Sequence, residues 1–186
     1  MTGDNARGWV GNVTAEEVRR VWGDQLQPIP SELVSPRLSV PTREFLSTVG
    51  LPDVETVESA GLIPVRDLRL SRQLEDGEYV VVAEDIDPGC GVAVEAATDQ
   101  VLFLWEEDPY DRRLVNSNIA LFVLFLGTFQ STARELAEVD PGIGAGLLSA
   151  RWHQLTINDP VAMNDDRNYW VGMWQNLADD FAGGTP

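Results

Sequence analysis

The 186-residue sequence contains no lysine; all 13 of its basic residues are arginine. That absence excludes a lysine Schiff base, the phosphate-binding lysine of a P-loop and the lysine of a protein kinase. Cysteine and histidine are almost as scarce, with Cys90 and His153 the sole examples. A structural zinc site draws four ligands mostly from these two residue types, and a disulfide needs two cysteines, so neither can form within the chain. Long apolar runs are missing too. The longest, Ile119 to Leu126, stops at Gly127 and meets Arg134 and Glu135 soon after, whereas a membrane span needs roughly 20 apolar residues. No membrane contact is expected. The opening residues Met1-Thr2-Gly3-Asp4-Asn5 lack a basic region followed by an apolar core, the pattern of a secretory signal, so a cytoplasmic location is expected.

What the chain does contain is enough to fold. Apolar residues make up 44% of it and six are tryptophan, a composition that argues against disorder and for one compact domain. Residues 1–40 read as an N-terminal helix and wrapping segment of the same single domain as residues 41–183. Acidic residues number 30, giving a formal net charge of -17. Such a surface repels phosphate backbones and disfavours direct nucleic-acid binding, while a basic protein partner would be steered toward it. Solubility or a saline habitat would explain the same charge.

Taken in order, Thr14-Ala15-Glu16-Glu17 fits a capping box opening a helix with Val18, Val21 and Trp22 on one face and a stop near Gly23. This helix is expected to be peripheral. Pro28, Pro30, Pro36 and Pro41 prevent regular structure in the stretch that follows, which reads as an extended wrapping segment. Thr42 then caps a second helix with an apolar stripe of Phe45, Leu46 and Val49, Gly50 at its left-handed end and Pro52 forbidding continuation. From Leu62 the periodicity shifts toward two: Leu62 to Val65, Leu68 to Leu70, Tyr79 to Ala83, Gly91 to Ala96 and Val101 to Trp105 read as strands of a mostly antiparallel sheet. Ala97-Thr98-Asp99-Gln100 is short enough to close a hairpin between the last two. Arg113-Leu114-Val115 is a further extended entry to a helix that starts at Ser117 or Asn118 and is apolar all round, hence buried in the middle of the fold. Pro141-Gly142-Ile143-Gly144-Ala145-Gly146 reads as a break, Asp159-Pro160 as another, and a last helix carries Tyr169, Trp170, Met173, Trp174 and Leu177 on its apolar side.

Few residues suggest chemistry. Gly142, Gly144 and Gly146 lack the preceding strand and the following Lys-Ser/Thr of a phosphate loop. Asp85, Asp87 and Glu95 flank the turn at Cys90 and are carboxylates of the kind that bind a hard cation or form an acid and base pair, but Asp85-Ile86-Asp87-Pro88-Gly89 has the composition of a tight turn and not the spacing of a calcium loop. Cys90 has no histidine near it in sequence, and His153 could in principle pair with Asp159 but fits a structural role better. No catalytic residue, metal ligand or cofactor is expected.

The order of motifs resembles that of the SUKH superfamily, and within it the fourth immunity-protein branch. The elements that carry the likeness are Phe45-Leu46-Ser47-Thr48-Val49-Gly50-Leu51-Pro52, the strands, an acidic loop, Leu114-Val115-Asn116-Ser117-Asn118-Ile119-Ala120-Leu121-Phe122, then Asp159-Pro160 and an aromatic helix with Trp170. They span roughly residues 40 to 180. Two departures stand out: Asn118 occupies a position where the family often has serine, and Ala83-Glu84 stands where a glycine-containing turn usually follows the strand of Tyr79. The resemblance implies an α+β fold with N-terminal helices, a central sheet and C-terminal helices packed on it. It also implies a cytoplasmic bacterial antitoxin that binds and neutralises a toxin domain of a polymorphic toxin system. A non-immunity binding scaffold of the same fold, or a small hydrolase using Asp85, Asp87 or Glu95, are the alternatives. The composition of Trp105-Glu106-Glu107-Asp108-Pro109-Tyr110, aromatic rings among carboxylates, is that of a protein interface with a basic partner. The acidic turn of Asp85 and Asp87 is the second candidate surface.

Overall fold

A computed structural model describes residues 13–53, 57, 60–105, 108 and 111–183. The capping box at Thr14 and Glu17 forms, and opens helix α1 (Ala15–Trp22), which stops at Gly23 with φ 60°. The proline-rich stretch after it holds only two 3₁₀ turns and the short strand β1 (Leu26–Gln27). Helix α2 (Val40–Thr48) is capped by Ser39, whose hydroxyl accepts from Thr42 N–H, and not by Thr42 as expected. Pro41 is the reason: its ring belongs in the first helical turn, where no N–H is needed, which moves the cap upstream. Gly50 takes φ 87° at the far end, and any Cβ there would lie 1.9 Å from the Gln27 carbonyl oxygen. Glycine is required on both counts. That close approach lets β2 (Leu51–Pro52) pair with β1.

The main sheet is built from β3 (Leu62–Pro64), β4 (Ser71–Leu74), β5 (Gly77–Asp85), β6 (Cys90–Glu95), β7 (Val101–Trp105) and β8 (Arg112–Asn116), in the order β3-β5-β6-β7-β8 with β4 also on β5. Every pairing is antiparallel. Leu68-Arg69-Leu70 is not a strand. Leu68 is buried in a single parallel bridge with Val34, Leu70 is 79% exposed, and the edge strand is the polar Ser71–Leu74 beyond them. An edge strand exposed on one side can be held by backbone pairing without an apolar pattern. Strand β5 shifts register against β6 between Val81 and Ala83 and continues through Ala83-Glu84 to Asp85, so the chain turns later there than the family pattern suggested.

Helix α3 (Ile119–Leu136) lies across the inner face of the sheet, with every residue from Ile119 to Gln130 buried. Asn118 is its cap, accepting from Leu121 N–H at 3.1 Å. By length and composition α3 could cross a membrane, but 78% of it is buried inside the fold. Its hydroxyls are satisfied locally, Thr128 on the Leu124 carbonyl and Thr132 on that of Thr128. Far from being peripheral, α1 docks directly on this helix: Trp22 Nε1 donates to the Val123 carbonyl at 2.8 Å, and Gly127 leaves the space the indole occupies.

Helices α4 (Pro141–Asn158), α5 (Pro160–Met163) and α6 (Tyr169–Gly183) complete the layer. The expected break at Pro141–Gly146 is instead the first turns of α4. Proline suits the N1 position, and although helical glycine costs about 1 kcal/mol, Gly144 is needed because a Cβ would strike the Phe181 ring of α6 at 2.2 Å.

Candidate partner-binding surface

Three strand ends meet at one corner of the sheet. Strand β5 finishes at Asp85, whose carboxylate accepts from Asp87 N–H at 2.9 Å and so shapes the turn, with Gly89 at φ 91° leading back into β6. The first residue of β6, Cys90, pairs with Trp105, the last of β7. Helix α6 approaches from the inner side and lays Tyr169 against Phe103, their rings stacked with centroids 5.2 Å apart. Trp105 meets Phe103 edge-on at 4.6 Å, and the Arg113 guanidinium sits 4.8 Å above the Trp105 ring. Between these groups lies an open concavity of about 250 Å³, walled by Asp85, Asp87, Trp105, Arg113, Tyr169 and Asn176. Burial, and after it the charge of Asp85, pushes the Tyr169 phenol well above its ordinary range.

Two surfaces that were separate in sequence are thus one: Asp85 and Asp87 share the concavity with Trp105. Asp108 is exposed just beyond β7, and its carboxylate accepts from Asp111 N–H at 3.3 Å. Glu106, Glu107 and Tyr110 lie outside the described residues. Glu95 does not join the other carboxylates. It sits at the far end of β6, accepting from the Tyr79 hydroxyl at 3.2 Å and from Thr98. Among the described residues no group of three or more His, Cys, Asp or Glu side chains is placed to hold a metal ion. Cys90 is half-buried in the concavity wall, and His153 is exposed on α4.

Consecutive strand residues face opposite sides of a sheet, so Arg112 covers the other face. It stacks over Tyr79 at 4.8 Å from the ring centroid and is hydrogen-bonded to both the Tyr79 hydroxyl and Asp76. The Arg112 contact holds the Asp76 carboxyl below the usual range. Burial raises the Tyr79 phenol to about 12, Arg112 opposing that rise and the charges of Glu95 and Asp76 adding to it.

A second arrangement, buried and structural, links the motif residues that carried the resemblance. Asp159, 2% exposed, accepts from Ser117 N–H at 2.8 Å, Ser117 Oγ at 2.7 Å and Asn116 Nδ2 at 3.1 Å. Asn116 Oδ1 in turn accepts from Trp170 Nε1 at 2.7 Å. Of the two residues that could start the helix, Asn118 is the cap, and Ser117 belongs to this network. With both oxygens of Asp159 engaged here, pairing with His153 is not its role.

The SUKH-4 immunity protein family model matches residues 13–176. No curated protein and no solved structure matches the chain.

Proposed function

The chain belongs to the SUKH-4 immunity protein family, and on that premise we propose that it neutralises a cognate toxin domain by binding it through the acidic and aromatic corner of the sheet. The observation that carries this is the convergence of Asp85 and Asp87 with Trp105 and Tyr169 around one open concavity. Rigid aromatic anchors beside carboxylates supply both contact area and charge selectivity. With a net charge of -17, the toxin's contact surface is basic, as a surface that grips nucleic acid would be, and the inhibitor occupies the place of the phosphate backbone. The pair meets in the cytoplasm, and the inhibitor works by occlusion, without cofactor or catalysis.

The test needs the cognate toxin domain, which is to be sought first among the genes that neighbour this one. Asp85→Arg with Asp87→Arg should slow association at least about tenfold, weaken its salt dependence and abolish protection in co-expression, while the fold is retained with a loss of about 1 kcal/mol for the exposed turn hydrogen bond from Asp87 N–H to Asp85. Glu106→Arg with Glu107→Arg, just after Trp105 in sequence, should act in the same direction. Unaltered binding kinetics in both folded variants would place the interface elsewhere on the protein.

A further inference from the structure

One guanidinium already lies in the acidic concavity. Arg113 is exposed and shares the lining with Asp85 and Asp87, yet it pairs with neither carboxylate and rests on the Trp105 ring, 4.8 Å from its centroid. Strand order explains why. Arg113 is rooted on β8 and Asp85 on β5, three strands away, which is roughly 14 Å at about 4.8 Å per strand. Arg113 therefore covers the aromatic wall without reaching the acidic one. Asp85 accepts from the Asp87 backbone, and neither carboxylate meets a cation among the described residues.

Size and chemistry select what completes the site. At about 250 Å³ the concavity is smaller than the roughly 300–1,000 Å³ of small-molecule pockets, so it admits one side chain and not a folded segment. Its flat indole wall suits a planar cation. Its polar groups come from two directions, Asp85 and Asp87 from the β5–β6 turn, Tyr169 and Asn176 from α6. A guanidinium spreads five N–H donors in a plane and stacks on aromatic rings, whereas an ammonium gathers three donors at one strongly hydrated point. The stacked Arg113 is the same chemistry, supplied from within the chain.

We infer that the concavity is the seat of one arginine side chain of the partner, and that Arg113 is a resident placeholder that gives way to it. The inference rests on the reading of this corner as the toxin-binding surface and deepens it. An incoming guanidinium, free of the tether to β8, lies between Trp105 and the two aspartates and engages both walls at once. Arg113 is held by a single exposed cation–π contact, so it yields readily. Its like charge opposes the guest, and its removal strengthens binding, opposite in sign to the removal of Asp85 and Asp87.

The whole protein without its partner decides this first. Its Trp105 indole N–H, assigned by its loss in Trp105→Phe, is followed by NMR as N-acetyl-arginine methylamide is added, with N-acetyl-lysine methylamide at equal ionic strength as the comparison. The arginine probe should shift the signal saturably and the lysine probe much more weakly. Arg113→Gln, a change at an exposed side chain, should bind the arginine probe at least about threefold more tightly, the weight of one exposed cation–π contact, and should tighten toxin binding in the same direction. Asp85→Asn with Asp87→Asn, which keeps a turn acceptor at position 85, should abolish the shift. No saturable shift in parent or Arg113→Gln, an equal response to lysine, or an Arg113→Gln variant that binds probe or toxin no more tightly than the parent would overturn the inference. Saturable arginine binding with toxin association unmoved by Asp85→Arg and Asp87→Arg would instead overturn the toxin reading and leave the guanidinium seat in place.

Discussion

Removing the carboxylate of Asp159 tests whether the motif residues Asn116, Ser117 and Trp170 are held together for stability. In Asp159→Ala three donors lose their acceptor: the Ser117 backbone N–H, the Ser117 hydroxyl and the Asn116 amide. A buried donor left unpaired costs about 1–3 kcal/mol. Ser117 is only partly buried, so its hydroxyl can turn toward water, and the two remaining donors sum to about 2–6 kcal/mol. Asp159→Asn should cost only about 1 kcal/mol. Its carbonyl oxygen can keep the Ser117 N–H and the Asn116 amide, while its NH₂ faces Ser117 Oγ, a hydroxyl that accepts as readily as it donates. Asn116→Asp should behave like the alanine variant, because it removes the donor to Asp159 and sets two carboxylates face to face. Urea denaturation with an unchanged m-value is the assay. Against a total stability of about 5–15 kcal/mol, the difference between alanine and asparagine at position 159 is easily resolved. If the two cost the same, or alanine costs under about 1 kcal/mol, the network does not stabilise the fold.

Phe122→Ala and Phe125→Ala, in the helix buried on all sides, should each cost about 3–5 kcal/mol; melting temperatures within a degree or two of the parent would contradict this. Gly127→Ala ought to gain about 1 kcal/mol of helix propensity, yet its Cβ would fall 2.6 Å from Trp22 Nε1, so a net loss of stability is expected and a gain would refute the close docking of α1. Between about pH 10, where an unfolded tyrosine ionises, and about pH 12, where Tyr79 does in the fold, the unfolded chain has released a proton that the native state retains. Stability therefore falls as pH rises across that window, and Tyr79→Phe should flatten the fall; identical slopes would show that Tyr79 does not titrate as its burial implies.

Features governed by local chemistry were legible in the sequence. The Thr14 and Glu17 capping box, the left-handed Gly50 and the all-apolar start of α3 each follow from a few adjacent residues. What escaped was decided by partners far along the chain. Strand β4 is polar because its outer edge faces solvent, and only pairing with β5 makes it a strand. The glycines of α4 look like a loop until Phe181, 37 residues later, is seen to need the space at Gly144. Asn116 has its partners at positions 159 and 170. The order of Val-Asn-Ser, Asp-Pro and tryptophan was the signal for them, but as a family pattern and not as a physical one.

The candidate surface divides in the same way. Asp85 with Asp87, and Trp105 with its acidic neighbours, were each legible as exposed polar or aromatic stretches. Their union depends on the register that sets Cys90 opposite Trp105. Tyr169 and Asn176 come from a helix whose aromatic stripe, taken alone, indicates core packing. Helix periodicity explains the ambiguity: Tyr169, Met173 and Asn176 fall on one flank of α6 and line the acidic concavity, whereas Trp174, Gln175 and Ala178 fall on the opposite flank and line the groove against α4. One helix thus separates a charged surface from a neutral one. Because salt screens attraction between opposite charges, raising it should loosen toxin binding at the acidic concavity and leave a contact at the neutral groove unchanged. A salt titration in which toxin affinity does not fall would show that the acidic concavity is not the surface that binds it.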